Sequence, residues 1–431
     1  MADTPSGGKQ ELVAVSPAQL HVGAVLRFTL RDEHGRVLLA KGLRIENMQA
    51  LESLQSRRAV YVDYDESDEA IKVLMSGLNE ATMRDAPLKD IDKLVSLKAE
   101  ETGPEIKGTP AEAWAEVEAR LKTLLGQIAQ GGPGAADAIQ RLDTQVNVLS
   151  DTLLNRDRDV AIFLLMHRAV TGFSGYSALH SLLCGCVCHL LATPLKLSPE
   201  EDTSLVRAAL TMNVAMTQLQ DLLAGQKQRP SPQQQAMIDS HPREALRMLR
   251  AAGVTDRLWM EAVMRHHMEL PAGVPLAQRP PAERLTRILQ VVDRYTAAMS
   301  PRISRAGRDA KDAARSAIVQ AGAGGHDEVG MALVQVLGLH PAGTFVKLAN
   351  GETAVVLRRG TKANEPYVAS VLNKRDEPIA EARLRNTASA ELAVVQAVSG
   401  SHIRVRLNLD TMLKQLAFSK TGPERGLGLR R

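Results

Sequence analysis

Aromatic residues are scarce in this chain, and that scarcity limits what its interior can be built from. Only 3% of the 431 residues are Phe, Trp or Tyr, although 44% are hydrophobic. A core of this kind consists mainly of Leu, Val, Ala, Ile and Met, a mixture that suits packed helices better than β-sandwiches. The composition therefore favours a mainly α fold, and the length suggests roughly two to four domains.

Charge and cysteine content exclude several classes of protein. Lys and Arg number 53 and Asp and Glu 49, giving a net charge of +4 with the two signs interleaved, so no nucleic-acid polymer is expected as a partner. We expect neither a membrane span nor a signal peptide, since no apolar run reaches about 18 residues. Three cysteines do not make a disulfide scaffold, and a cytoplasmic location is the simplest interpretation.

Apolar residues at three- and four-residue steps predict helices through the middle of the chain. The first stripe consists of Trp114, Val117, Leu121, Leu124 and Ile128 and ends before the Gly-Gly-Pro-Gly break at 131–134. A second stripe follows that break. These helices could pack on the rest of the domain or form a seam between two chains, and core packing is favoured because two heptads are short for a coiled coil. Residues 151–336 are predicted helical, with helix starts capped by Ser198 and Ser231.

Strand-like segments flank this helical part. Residues 23–30 and 36–40 surround a turn at Gly35, and a helix at 45–55 and a strand at 59–63 follow. Strands are also predicted at 345–348, 353–357, 367–372 and 402–407, with a hairpin turn at Asn350-Gly351. The predicted organisation is a disordered tail (1–10), a small mixed α/β module (11–66), a linker (67–110), a helical domain (111–340), a small β-rich appendage (341–412) and a loose basic tail (413–431).

Histidines and a carboxylate in the helical part suggest a metal site or its remnant. His266 and His267 are adjacent, and neighbouring helix positions are about 100° apart, so at least one of these rings points inward. Asp293 follows the apolar run 288–292, where a carboxylate needs a cation, a metal or a backbone donor.

From His180 to Arg305 the order of these residues resembles the HD-GYP family of cyclic di-GMP phosphodiesterases, a helical branch of the HD phosphohydrolases. The resemblance covers most of the chain, since both flanking segments are similar to ones found beside HD-GYP domains. It implies a helical HD-GYP-like bundle. It also implies metal ligands at His180, His241, His266, His267 and Asp293, and phosphate-holding residues at Arg302 and Arg305.

The central motif departs from the family pattern. Residues 208–216 read Ala-Ala-Leu-Thr-Met-Asn-Val-Ala-Met where the family has Ala-Ala-Leu-Leu-His-Asp-Ile-Gly-Lys, so Met212, Asn213 and Met216 replace a ligand, the bridging aspartate and a lysine. Residues 270–275 stand where the family has the Asp-Gly-x-Gly-Tyr-Pro turn, and the loop that contains this turn is one residue shorter. An amide carries no charge and a thioether binds hard or borderline cations poorly, so we predict that the catalytic residues of the central motif are not retained.

These observations favour a degenerate HD-GYP signalling protein, a pseudoenzyme that acts by binding cyclic di-GMP or another signalling protein. The alternative is an active phosphohydrolase with a reduced metal site, and a weaker one is a scaffold that forms a homodimer through residues 112–153. The expected cofactor is either none or one divalent metal (Fe, Mn or Zn), since three or four ligands suffice for zinc or iron.

The three cysteines and the two arginines each allow two interpretations. Cys184 and Cys188 share a helix face with His180, which suits a soft-metal or redox site, whereas free cysteines such as these and Cys186 are more often small core residues. Arg302 and Arg305 could grip phosphate or belong to an ordinary solvated basic face.

Overall fold

The computed structural model describes residues 12–15, 29–39, 54, 60–63, 108–271, 273–319 and 327–421. The chain divides into two compact units, residues 1–103 and 104–431. In the first unit, four antiparallel strands are ordered β1-β4-β2-β3, with β1 Leu12–Val15, β2 Leu30–Arg31, β3 Val37–Leu39 and β4 Val60–Asp63. The predicted tail at 1–10 and nearly all of the predicted helix at 45–55 and linker at 67–110 lie outside the described residues.

The turn between β2 and β3 forms as the sequence predicts. Gly35 has a φ of 78°, a conformation that glycine adopts without strain. Asp32 is buried at the start of the turn and accepts hydrogen bonds from the backbone N–H groups of His34 and Arg36. The hairpin is therefore held by one carboxylate as well as by strand pairing.

Helices dominate the described part of the second unit, which confirms the mainly α prediction. They are α1 Pro110–Gln130, α2 Pro133–Asn147, α3 Asn155–Thr171, α4 Tyr176–Ala192, α5 Pro199–Thr211, α6 Thr217–Ala224, α7 Pro232–Ala251, α8 Arg257–Arg265, α9 Pro281–Met299, α10 Ala310–Val319, α11 Glu328–Leu337 and α12 Leu409–Thr421. A π-helical segment, Val148–Leu154, joins α2 to α3, and the 3₁₀ turn Val214–Met216 follows α5. Among the described residues, no helix is long and apolar enough to cross a membrane.

Local sequence signals set several helix ends. Ser198 and Ser231 each accept a hydrogen bond from the third residue of their helix, whose Glu or Gln side chain accepts one in return from the backbone N–H of the serine. Gly131 and Gly132 both have a φ of 74° and separate α1 from α2. The predicted caps and the predicted break are therefore confirmed.

The two apolar stripes on α1 and α2 pack into the core of their own chain. Trp114, Val117, Leu121 and Ile128 are all at most 3% exposed and belong to one cluster with residues of α3, α4, α5 and α9. Core packing therefore accounts for these side chains. The proposed role of residues 112–153 in a homodimer stays a prediction.

The β-rich appendage forms one antiparallel sheet with strand order β8-β7-β6-β5-β9. Its strands are β5 Phe345–Leu348, β6 Thr353–Arg358, β7 Tyr367–Leu372, β8 Pro378–Asn386 and β9 Val394–Val398. The strand predicted at 402–407 is wrong, because Ile403, Val405 and Leu407 turn their side chains onto the helical core without pairing to a neighbour. Helix α12 extends into the residues predicted as a basic tail, anchored by buried Met412 and Leu416.

Candidate metal centre

Four helices bring all five predicted ligands into one region of the second unit. Helix α4 is buried on almost every side and carries His180, while α7 carries His241 and α9 carries Asp293. Helix α8 ends at Arg265, so His266 and His267 lie just beyond its last turn. Because the backbone leaves the helix there, the two adjacent rings can approach each other, with centroids 4.1 Å apart.

A proline fixes the orientation of the His241 ring. Pro242 lies inside α7 and has no N–H, so the carbonyl of Ile238, four residues earlier, lacks its helical donor. Nδ1 of His241 donates to that carbonyl. The bond sets the tautomer, because a neutral imidazole protonated on Nδ1 presents an unprotonated Nε2 on its other side.

The end of α8 fixes His266 in the same way. Its Nδ1 donates to the carbonyl of Val263 at 2.6 Å, one of the last carbonyls of the helix, which have no donor within it. Burial and the neighbouring His267 lower the pKa of His266 to about 3, and burial lowers the pKa of His241. Both imidazoles are therefore neutral near pH 7.

The two unprotonated nitrogens point at each other. Nε2 of His241 and Nε2 of His266 lie 3.1 Å apart, and without a cation two lone pairs at this distance repel. Two zinc–nitrogen bonds of about 2.0–2.1 Å at a tetrahedral angle place their nitrogens about 3.3 Å apart. Each ring also has the backbone partner on Nδ1 that metal-binding histidines usually have. The donor set therefore fits a metal ion.

His267 completes what we call the histidine cluster: His241, His266 and His267. Ligand atoms of the three residues lie within 4.8 Å of one another, and the His267 ring is exposed while the other two are buried. Three imidazole ligands with one open side match the ligand count of zinc sites that keep a position for solvent or substrate.

A second group lies beside it, the thiol cluster: His180, Cys184 and Asp293. Nε2 of His180 is 2.9 Å from Oδ1 of Asp293 and 3.7 Å from Sγ of Cys184. Oγ1 of Thr296 is 3.2 Å from the same sulfur. Cys186 and Cys188 are not members, and burial raises the pKa of both their thiols well above the usual value, as expected for inert core cysteines.

Charge couples the two clusters. Burial alone would raise the pKa of the Asp293 carboxyl, but its hydrogen bond with His180 and the charges of His180, His266 and His267 lower it to about 2. Burial lowers the pKa of His180, yet the acidic neighbours Cys184, Tyr176 and Asp293 raise it well above its usual value. Asp293 is therefore an anion that faces both groups of histidines.

No charged side chain stands at the motif positions 212, 213 and 216. Met212 and Asn213 are buried at the end of α5, and Met216 is half-buried. Among the described residues, Oδ1 of Asn213 has no hydrogen-bond partner. The turn Val214–Met216 packs against α7, the helix of His241. Thioethers of Met212 and Met216 therefore stand where the HD-GYP pattern has a histidine and a lysine, and the amide of Asn213 stands where it has an aspartate.

The two predicted phosphate-binding arginines lie on one open cleft of about 460 Å³, together with Thr171, Phe173 and Ser401. The Arg302 guanidinium lies 5.0 Å from the centre of the Tyr176 ring, which stacks on His180, and donates to the Tyr176 hydroxyl at 3.2 Å. Arg305 donates to the carbonyl of Ala297 at 2.8 Å. Arg302 is thus linked through Tyr176 to the thiol cluster, while one nitrogen of Arg305 is held by the backbone.

Sequence reasoning missed the residues that orient the ligands. The His-Pro pair at 241–242 was a readable signal, because a proline inside a helix frees a carbonyl at a known position. The contact between Thr296 and Cys184 joins two helices and left no signal in the sequence.

Comparison with known proteins gives one weak likeness. Neither a scan against protein families nor a search of curated proteins found a match. Among solved structures, an HDG"Y"P protein from Bdellovibrio bacteriovorus aligns at 13% identity and a TM-score of 0.42, covering 76% of this chain and 99% of that one. A likeness of this size does not assign a family.

Proposed function

We propose that this chain is a signalling protein of the HD-GYP type that holds a divalent metal on its histidine cluster and acts by binding. Its ligand is a phosphate-bearing nucleotide such as cyclic di-GMP, or a partner protein. Efficient phosphodiester hydrolysis is not part of this function. The observation that carries the proposal is the facing pair of Nε2 atoms on His241 and His266, 3.1 Å apart, with both Nδ1 atoms bonded to backbone carbonyls.

The metal-binding part rests on the two Nε2 atoms, which find no hydrogen-bond donor among the described residues. A buried histidine that only packs usually directs one nitrogen at a donor and the other at an acceptor. Here two acceptors face each other in a buried space. A bound divalent ion would supply the positive charge that pairs with both.

The loss of hydrolysis rests on the residues that stand at positions 212 and 213. Two-metal phosphodiester cleavage needs a charged group shared between the ions, so that the bridging water becomes a nucleophile near neutral pH. Asn213 offers a neutral amide oxygen and Met212 a thioether, and neither neutralises a second cation. The residues present favour holding a phosphate over cleaving it.

The nucleotide-binding part rests on the cleft beside the clusters. Arg302 presents a guanidinium at an open cleft that Ser304 also lines, and a guanidinium and a hydroxyl are donors suited to phosphate oxygens. Phe173 is 39% exposed on the same cleft and offers a flat apolar face for a base.

Metal analysis tests the first part of the proposal. Protein purified without chelator or affinity metal should contain a divalent ion, and metal-free protein should bind zinc or manganese in calorimetry. The alternative of an active enzyme predicts in addition that cyclic di-GMP is converted to the linear dinucleotide when manganese or iron is supplied. A chain that binds no ion would overturn the metal-binding part of the proposal.

Calorimetry with cyclic di-GMP tests the second part. Arg302→Ala should weaken binding about 10-fold or more, because a charge-assisted hydrogen bond contributes about 1.5–3 kcal/mol. Arg308→Ala is the matched control, since Arg308 is exposed on the same segment and does not line the cleft. If the two substitutions weaken cyclic di-GMP binding equally, or if the unmodified chain does not bind cyclic di-GMP, nucleotide binding at this cleft is excluded and a partner protein remains as the ligand.

A further inference from the structure

The thiol cluster has a feature that salt-bridge formation alone does not account for. His180 and Asp293 already satisfy each other through a 2.9 Å contact, yet the sulfur of Cys184 also lies against the His180 ring, 3.7 Å from Nε2 and 4.0 Å from Nδ1. Ligand atoms of all three residues lie within 4.8 Å of one another. Imidazole nitrogen, carboxylate oxygen and thiolate sulfur are the three donors that zinc uses in proteins.

The spacing of the sulfur and the nitrogen fits one shared ion. A zinc–sulfur bond of about 2.3 Å and a zinc–nitrogen bond of about 2.05 Å at a tetrahedral angle place these atoms about 3.6 Å apart. The observed distance between Sγ of Cys184 and Nε2 of His180 is 3.7 Å, but Sγ is also 4.0 Å from Nδ1 of the same ring, so the cysteine side chain must turn toward the Nε2 lone pair to share an ion with it. The distance from Nε2 to Oδ1 of Asp293, 2.9 Å, needs to open by a few tenths of an ångström.

The surroundings of Cys184 suit a thiolate. Thr296 places its hydroxyl 3.2 Å from the sulfur, and this hydroxyl also contacts the carbonyls of Val292 and Asp293. Rotation about its C–O bond turns the hydrogen from a carbonyl to the sulfur, so Thr296 can donate to a thiolate. Hydrogen bonds of this kind orient and tune metal ligands from outside the coordination sphere.

We infer that Cys184 is a metal ligand, which together with His180 and Asp293 forms a second, sulfur-containing site selective for zinc and other thiophilic divalent ions. Binding replaces the thiol proton of Cys184 and the Nε2 proton of His180, both of which leave to solvent, with bonds from sulfur and nitrogen to the metal. This site predicts a preference for zinc or cobalt over manganese, since thiolates favour softer ions.

Cobalt spectroscopy tests this inference on the full chain. A thiolate bound to Co²⁺ gives an intense near-ultraviolet charge-transfer band, whereas nitrogen and oxygen ligands give only weak bands in the visible. Metal-free protein titrated with Co²⁺ under reducing conditions should show the charge-transfer band, which zinc should remove and manganese should not. Cobalt that binds with visible bands alone overturns the role of Cys184 and leaves the histidine cluster intact as a metal site.

Matched cysteine variants assign the band to one sulfur. The chain has three cysteines, so the double variant Cys186→Ser/Cys188→Ser keeps Cys184 as its only thiol and should retain the band. Cys184→Ser should lose it and bind one cobalt fewer per chain. If Cys184→Ser does not fold, the double variant still decides the question, because a missing band in that folded protein contradicts the inference.

His266→Ala separates this inference from the proposed function. The substitution removes a ligand of the histidine cluster and leaves all three thiol-cluster residues in place, so the charge-transfer band should persist. A band that disappears with His266→Ala would mean that the sulfur belongs to one common site, and the second site would be excluded.

Discussion

The histidine cluster and the thiol cluster lie side by side but differ in how their hydrogen-bonding groups are paired when no metal is bound. In the histidine cluster the facing nitrogens of His241 and His266 are neutral acceptors, and nothing in that pair can donate. In the thiol cluster His180 carries a proton that it shares with the anion Asp293. One cluster is therefore incomplete by itself, whereas the other is a finished ion pair with a thiol beside it.

This difference predicts two kinds of metal binding. An ion entering the histidine cluster relieves a repulsion and displaces no proton from His241 or His266. An ion entering the thiol cluster must first displace protons from His180 and Cys184, so its net affinity is lower and depends on pH. The clusters should fill in that order as metal is added.

The largest effect should come from removing one facing nitrogen. His266→Ala should weaken the tighter of the two binding events on the order of 10³-fold, since loss of an outer-shell partner alone typically costs 10–100-fold. Zinc calorimetry on metal-free protein measures the change. His402→Ala is the control, because His402 is exposed and belongs to neither cluster. A similar loss in both variants would show that the tight event is not at the histidine cluster.

The second largest effect should be a difference between the two clusters in how their metal affinity depends on pH. The raised pKa of His180 means that its proton must leave before Nε2 can bind, so affinity at the thiol cluster should rise at least tenfold per pH unit between about pH 6 and 8. The pKa of His266, about 3, and the lowered pKa of His241 predict no proton release from those two rings in this range. Cobalt titrations of His266→Ala report the thiol cluster, and those of Cys184→Ser report the histidine cluster. Equal slopes of cobalt affinity against pH in the two variants would contradict the distinction.

A third prediction separates metal affinity from folding stability. Pro242→Ala restores the N–H that bonds to the Ile238 carbonyl, so Nδ1 of His241 loses its partner. Metal affinity of the histidine cluster should fall about 10-fold, while the metal-free protein should gain about 1–3 kcal/mol because proline is removed from a helix interior. Calorimetry and denaturant unfolding report the two quantities. A loss of both together would indicate that Pro242 matters for packing and not for the tautomer.

Sequence reasoning reached the helical part of the fold because its signals are local. Apolar stripes such as the one through Trp114 and Leu121, and capping serines such as Ser198, act within one or two turns. It failed at 402–407, where the alternation of Ile403, Arg404 and Val405 suits a strand but the apolar side chains pack on the helical core. Alternation alone does not say whether a neighbouring strand is available.

The same limit applies to the candidate site. The five predicted ligands were readable as residue types in an order, and the structure brings them together. Which nitrogen of His241 is free depends on a carbonyl released by Pro242, and that of His266 depends on where α8 ends. The pairing of Cys184 with Asp293 and Thr296 depends on how α4 packs against α9, a contact between residues more than 100 positions apart.

The smallest predicted effect concerns the hydroxyl beside the sulfur. Thr296→Val removes the group 3.2 Å from Sγ of Cys184 and nearly preserves side-chain volume, so the thiol cluster should lose at most about 10-fold in zinc affinity, or about 1.4 kcal/mol. The cobalt charge-transfer band should move to longer wavelength, because a thiolate without a hydrogen bond gives up an electron more easily. The histidine cluster, which Thr296 does not contact, should bind unchanged. An unshifted band would mean that the hydroxyl stays bonded to the backbone carbonyls and that the thiolate relies on the metal alone for its charge.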